Sequence, residues 1–324
     1  MKRIAFYALS CLLLLASCND APVTIKDSAG KLNDILVVID DDLWDGSVGD
    51  AIRNTFAAPV DGLTREEPQF TLNQVKPASF LGMLRKSRNF LKIELKEKAG
   101  VNVLKDTYAN PQIGVIINAT DSLAIVDQIV QNAAQMKQLF KEHEIQEKQR
   151  LIEKVQLNTD AIKDKFGIEI TLPQAYRYAA LEDPNFTWMR RTIREGTMDI
   201  MIYEVPRKAI PRDSNIVKHI IKIRDSIGAM KIPVDDGGSF ATEQLLSPYV
   251  NETQVNGVFA YETKGLWEVT NKFMSGPFLN YAIYNKEKDN WLIAEGYIYA
   301  PSATQRNYLF ELEAILKGIK FVNP

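Results

Sequence analysis

The sequence predicts an α+β protein of mixed α/β character. An N-terminal α/β domain carries one long helix, and an antiparallel sheet with packed helices follows. Three observations lead there. Short β-branched and aromatic runs recur in both halves, among them Asp34-Ile-Leu-Val-Val-Ile-Asp40 and Trp291 to Tyr299. A helical stripe (Leu123, Val126, Ile129, Val130, Ala133, Met136, Leu139, Phe140) stands between them. In the second half strands come in runs with helices laid on them, as in layered α+β folds.

Taken in order, Asp34 to Asp40 suits a buried strand. Asp45-Gly-Ser-Val-Gly-Asp50 is a turn and helix entry, the helix running to about Phe56 before Pro59 and Gly62 break it. Phe70 to Val75 alternates as a strand, and Pro77 opens a short helix through Leu84. Asn89 to Leu95 and Ile113 to Asn118 are further strands. Asp121 and Ser122 offer an N-cap for the long helix. It extends about 36 residues, on the order of 50 Å. Its charged middle, Lys141 to Arg150, is expected to leave the domain body as a solvated face, hinge or stalk. Beyond it, Phe166 to Pro173, Tyr176 to Leu181, Trp188 to Ile193 and Met198 to Val205 read as strands. Ser214 to Met230 is an amphipathic helix; strands follow at Val258 to Val269, Phe278 to Tyr284 and Trp291 to Tyr299, and Thr304 to Gly318 closes as a helix. The expected divisions are 1–17, 18–30, 31–157 and 158–324: a leader, a tether and two domains.

The leader has Lys2 and Arg3, an apolar run from Ile4 to Leu15, then Ala16-Ser17-Cys18. A small residue before cysteine at that point resembles the lipobox of bacterial lipoproteins. The resemblance implies removal of residues 1–17, acylation of Cys18 by palmitate-like chains, and anchoring to a membrane without spanning it. No later run approaches the ~20 apolar residues a span needs. The net charge of −2 gives no electrostatic footprint for nucleic acid. The only cysteines are Cys11, in the leader, and Cys18, so the mature body has neither thiol nor disulfide chemistry. His143 and His219 are the only histidines and form no ligand pair, so no metal and no cofactor is expected.

Three stretches carry a wider resemblance: Asn33 to Trp44 with Gly49-Asp50; Trp188-Met-Arg-Arg191 leading into Met201-Ile-Tyr203; and Tyr261-Glu-Thr-Lys-Gly-Leu-Trp267 through Met274-Ser-Gly-Pro-Phe278 to Glu295-Gly-Tyr-Ile-Tyr-Ala-Pro301. With the lipobox they resemble Bacteroidetes-type lipoproteins known only as a domain of unknown function. That resemblance implies a cell-envelope location and no particular chemistry. Phe166 to Pro173, with the strands and closing helix after it, resembles the PsbP/Mog1-like α+β fold. Asp27-Ser28-Ala29 resembles the O-glycosylation signal of such envelopes, and Ser28, in a tether expected to be exposed, is its best candidate.

Familiar catalytic signatures (G-x-S-x-G, G-x-G-x-x-G, Walker, H-E-x-x-H) are missing, which weighs against an enzyme. Asp40-Asp41-Asp42 after a strand reads as a polar turn, with water-mediated Mg²⁺ the sharper alternative. Period two places Trp291, Glu295, Tyr297 and Tyr299 on one face, and Glu262, Trp267 and Tyr281 lie on neighbouring segments. Rings beside carboxylates suit glycan recognition; packed cross-strand aromatics are the plainer reading. The function expected is a lipid-anchored, periplasm-facing outer-membrane module that binds a glycan or another envelope protein. An envelope glycan hydrolase or esterase using Glu262 and Glu295 is one alternative, requiring both carboxylates on one side of the sheet, about 5–9 Å apart for glycoside hydrolysis. An apolar-ligand carrier is the other.

Overall fold

A computed structural model describes residues 26–235 and 237–322; Cys18 and the leader lie outside them. The first sheet contains β1 (Asp34–Val38), β2 (Thr71–Val75), β3 (Asn89–Leu95), β4 (Gly100–Lys105) and β5 (Ile113–Ala119), in the order β2-β1-β3-β5-β4. All neighbours are parallel except β4, which runs antiparallel to β5 at the edge. One face packs beneath helices α2 (Ser47–Phe56) and α3 (Ser122–Glu153), joining Ile35, Val37, Val115 and Ile117 to Ile52, Ile129 and Phe140. On the other face Leu36, Val38 and Phe90 are covered by Phe80 from a pair of 3₁₀ turns, not the single short helix expected there.

The helix expected from the Asp45–Asp50 entry to about Phe56 is present as α2, and a short helix precedes it where Asp40-Asp41-Asp42 read as a polar turn. Helix α1 (Asp41–Trp44) ends before α2 begins, and the two meet at Gly49, where a Cβ would lie 1.8 Å from the Trp44 carbonyl oxygen. Any larger residue would force them apart.

The second sheet contains β7 (Arg177–Ala180), β8 (Phe186–Ile193), β9 (Gly196–Pro206), β10 (Phe240–Thr242), β11 (Tyr249–Val255), β12 (Val258–Val269), β13 (Ser275–Asn285) and β14 (Asn290–Tyr299). It is antiparallel in the order β10-β12-β13-β14-β9-β8-β7, with β11 also paired to β12. Helix α5 (Ile216–Lys231) covers one face and α6 (Arg306–Lys317) the other. Strand β6 (Ile168–Glu169) pairs only with β15 (Lys320–Phe321). The longer strand expected from Phe166 is thereby corrected. Phe166 instead ends helix α4 (Asp160–Phe166), which stops where Gly167 takes φ 69°.

Two expectations fail in this frame. The charged middle of α3 does not leave the body: Glu144, Ile145 and Glu147 are buried. This segment lies between the start of the first sheet and α6, where Lys141 meets Glu313, Lys148 meets Glu311, and Gln149 donates to the Ala314 carbonyl at 2.8 Å. A charge run reads as solvated only until another element supplies opposite charges. Nor is the end of the tether free. Asp27 bridges to Asn110 and Ala29 to Ser87, so Ser28 is partly buried between two loops.

Candidate functional site

The aromatic and carboxylate residues singled out on the C-terminal strands do not form one exposed face. Strand register puts Glu262 opposite Tyr281, and Glu295 opposite Asn280. Successive residues of β13 point to opposite sides. Glu262 and Tyr281 therefore face α6, whereas Glu295, Trp267, Trp291 and Tyr297 face α5, with Tyr299 partly buried at that edge. Carboxylates on opposite sides of a sheet cannot flank one glycosidic bond, so the Glu262/Glu295 hydrolase is excluded.

The α5 side is core. Trp267 stacks on Phe240 at 5.2 Å and donates Nε1–H to the Ile298 carbonyl at 2.9 Å. Fully buried Arg224 lies 3.8 Å above the Phe278 ring, with Nε 2.9 Å from Glu295 Oε1. Asn280 donates to the other Glu295 oxygen at 2.9 Å. Burial pushes the Glu295 carboxyl above its usual range, against the opposing pull of Arg224.

On the α6 side a cavity of about 190 Å³ opens between the two sheets, lined among others by Asp61, Lys141, Glu262, Lys264, Arg306 and Glu313. Tyr281 donates to Glu262 at 2.5 Å, and Lys264 stands 3.0 Å from the same carboxylate. Burial would raise the Glu313 carboxyl, but Lys141, Lys264 and Lys317 hold it far below the usual range. These charges neutralise one another. So ionic a lining is unsuited to an apolar ligand, and the carrier reading finds no support in it.

A second ionic junction ties α3 to the first sheet. Glu144 accepts from the Asn33 backbone N–H at 2.7 Å, from Arg88 Nε at 2.7 Å and from Asn89 Nδ2 at 2.6 Å. His143 Nδ1 lies 2.9 Å from Asn89 Oδ1. Burial, with Arg88 adding to it, lowers the His143 pKa from 6.5 to about 4, against weaker opposing pulls from Asp106 and Glu147. A histidine whose folded pKa is depressed contributes stability that is present above pH 6.5 and lost as pH falls through about 4. The urea midpoint should therefore drop between pH 7 and pH 4.5, and His143→Gln should flatten that part of the profile.

A separate cleft is open to solvent. Of about 590 Å³, it lies between the β13–β14 hairpin and the 3₁₀ turn Arg207–Ala209 that follows β9. Register places Tyr284 opposite Trp291, their rings 5.2 Å apart, and Tyr261 continues the row 5.6 Å from Trp291. Trp291 donates Nε1–H to the Arg207 carbonyl at 3.2 Å, which pins the turn. Arg207, Lys208 and Arg212 bring three cations to the rim, with Asp289 as the acidic lining residue. Asp289 accepts from Tyr284 at 2.6 Å and from Arg207 at 3.2 Å, while Arg212 sits 4.3 Å over Phe259. Of the residues expected to form a binding face, only Trp291 lines this cleft, and at 2% exposure it backs the site while Tyr284 offers the accessible ring. Arg207 and Arg212 were legible as a basic pair beside Pro206 and Pro211, but their approach to Trp291 depends on how β9 exits the sheet.

Elsewhere, Asp41 pairs with Lys76 at 2.7 Å and accepts from Gln74 at 3.1 Å, as a helix-entry residue does. Among the described residues, no group of three or more His, Cys, Asp or Glu side chains is arranged to hold a metal ion. No described helix is long and apolar enough to cross a membrane.

Fold and site together define an α+β protein with two large sheets, buried ionic junctions and an open aromatic, cationic cleft. The chain belongs to the family described as Domain of unknown function (DUF4837), which matches residues 155–318. Residues 28–153 match a second family, Domain of unknown function (DUF8532). No curated protein matches. Among solved structures, the Ran-binding protein Mog1p of Saccharomyces cerevisiae is similar at 10% identity and TM-score 0.33, over 48% of this chain and 91% of that one. A point mutant of Mog1 is similar at 10% identity and TM-score 0.30, over 48% and 92%.

Proposed function

We propose that the chain is a non-catalytic binding module of the cell envelope, anchored through lipid on Cys18, with its body facing the periplasm from the outer membrane. Its ligand is an anionic glycan held in the cleft between Arg207–Arg212 and the β13–β14 hairpin. The observation that carries this reading is the partly exposed Tyr284 ring, backed by buried Trp291, beneath a rim of three cations. Aromatic faces stack on the apolar faces of sugar rings, and guanidinium groups take carboxylate or phosphate oxygens in forked geometry. The lipobox-like pattern ending at Cys18 supports the anchor.

Titration calorimetry of the full chain against acidic and neutral oligosaccharides tests the ligand. The acidic series should bind, and more weakly as salt rises. Arg212→Ala should weaken binding about tenfold, the loss of one charged hydrogen bond. Equal binding of neutral sugars, or an unaffected Arg212→Ala variant, would refute the assignment.

A further inference from the structure

We infer that the surface formed by Leu81, Met83, Arg85 and Tyr108 rests on the phospholipid leaflet that holds the N-terminal lipid. The inference rests on acylation of Cys18. Seven residues, 19–25, lie between Cys18 and Lys26, making eight Cα–Cα steps. Even fully extended they reach about 28 Å.

The chain enters the described structure at a defined place. Asn110 donates its N–H to the Lys26 carbonyl at 3.0 Å, and Ser28 donates back to Asn110 at 3.1 Å. Ala29 donates to the Lys86 carbonyl at 2.8 Å, and Arg88 to the Ala29 carbonyl at 2.9 Å. The two loops that grip the tether are therefore 76–88 and 106–112.

Both loops expose apolar side chains. Leu81 is 58% exposed, Met83 67% and Tyr108 37%. They do not dangle: Phe80, between them and the sheet, is buried on Phe90 at 5.1 Å and meets Tyr108 at 5.8 Å. Arg85 Nε donates to the Phe80 carbonyl at 2.9 Å, and its guanidinium lies 5.2 Å from the Tyr108 ring. Lys86 lies in the first of these loops, and Lys105 ends β4 directly before the second. A pinned pair of aliphatic side chains, a tyrosine and several cations suits a headgroup boundary: apolar tips enter the acyl region, while tyrosine and basic groups stay at headgroup level. Each basic residue near an anionic leaflet adds about 1 kcal/mol of attraction.

Met83→Cys tests this in the full chain. Cys11 leaves with the leader and an acylated Cys18 has no thiol, so the new cysteine is the one labelling site. Labelled with an environment-sensitive fluorophore and reconstituted into anionic phosphatidylglycerol vesicles, it should show blue-shifted emission. A lipid-borne quencher should quench it at least about threefold more than the same label at Phe273→Cys, since interfacial seating buries ~5–10 Å. Phe273 is fully exposed on the β12–β13 turn of the other sheet. Leu81→Cys is the second position should the first disturb folding. An aqueous signal at both loop positions, with intact mass showing acylated Cys18, would overturn the inference and leave the anchor standing. So would shielding at position 83 without lipid quenching, which marks a protein partner or second copy. An unmodified Cys18 removes both.

Discussion

Replacing Arg224 with methionine should cost about 3–5 kcal/mol of unfolding free energy, the usual result of stranding one member of a buried ion pair. Both Arg224 and Glu295 side chains are fully buried, and the guanidinium also donates to Thr242 Oγ1 at 2.8 Å and covers Phe278. Without it, Glu295 retains only Asn280 as a hydrogen-bond donor in a site where burial already raises its carboxyl pKa. A carboxyl whose folded pKa exceeds its unfolded 4.5 contributes stability that is present below pH 4.5 and lost as pH rises through the folded value. The variant should thus lose more at pH 7 than at pH 4. Urea unfolding at both pH values measures it. An Arg224→Met/Glu295→Leu double variant should recover most of the loss, because two apolar groups replace the pair and leave no stranded charge. A loss under 1 kcal/mol in the single variant would mean that water reaches the site.

Glu144→Ala should be comparably damaging, about 3–5 kcal/mol, for a different reason. Glu144 is completely buried and ties its helix to two segments through three donors: the Asn33 backbone N–H and the adjacent Arg88 and Asn89 side chains. Removing its carboxylate leaves the Asn33 N–H and Arg88 Nε without their acceptor, Asn89 with only the Asp34 carbonyl, and Arg88 as a buried cation held by backbone carbonyls alone. Hydrogen exchange should rise first in residues 141–150 and at the start of β3, before the strands around β13. Uniform loss of protection would show that α3 and both sheets unfold as one unit. Arg88→Met added to Glu144→Met should restore part of the stability, as removing both charges does elsewhere.

The same side chains explain what could be read in advance. The element types of β1, β3, β5, β9, β12, β13 and β14 follow from largely buried local runs and β2 from its alternation, and α3 follows from its stripe and the Asp121 cap, which accepts from Ala124 N at 3.0 Å. Strand β4 was missed because it is an edge strand with little buried on either face. Strands β10 and β11 were missed because they are short or largely exposed and share one edge of β12. Helix α4 carries its stop signal in Gly167, directly after Lys165-Phe166. Period two correctly grouped Trp291, Glu295, Tyr297 and Tyr299. It could not relate them to Glu262 and Tyr281, whose side of the sheet depends on inter-strand register.

By itself, then, the sequence determined the fold class and the order of most helices and strands, since hydrophobic period and capping chemistry act within a few residues. The Cys11 and Cys18 count likewise restricts the thiol chemistry open to the chain. Tertiary structure alone decided which charges were surface and which were core. Lys141 to Arg150 looks solvated until Glu311 and Glu313 of α6 come alongside, and the cleft exists only because β9 delivers Arg207 onto Trp291. Charge pairing and cleft formation join residues about 80 to 170 positions apart, and their energies depend on distance and burial, which no local window of sequence contains.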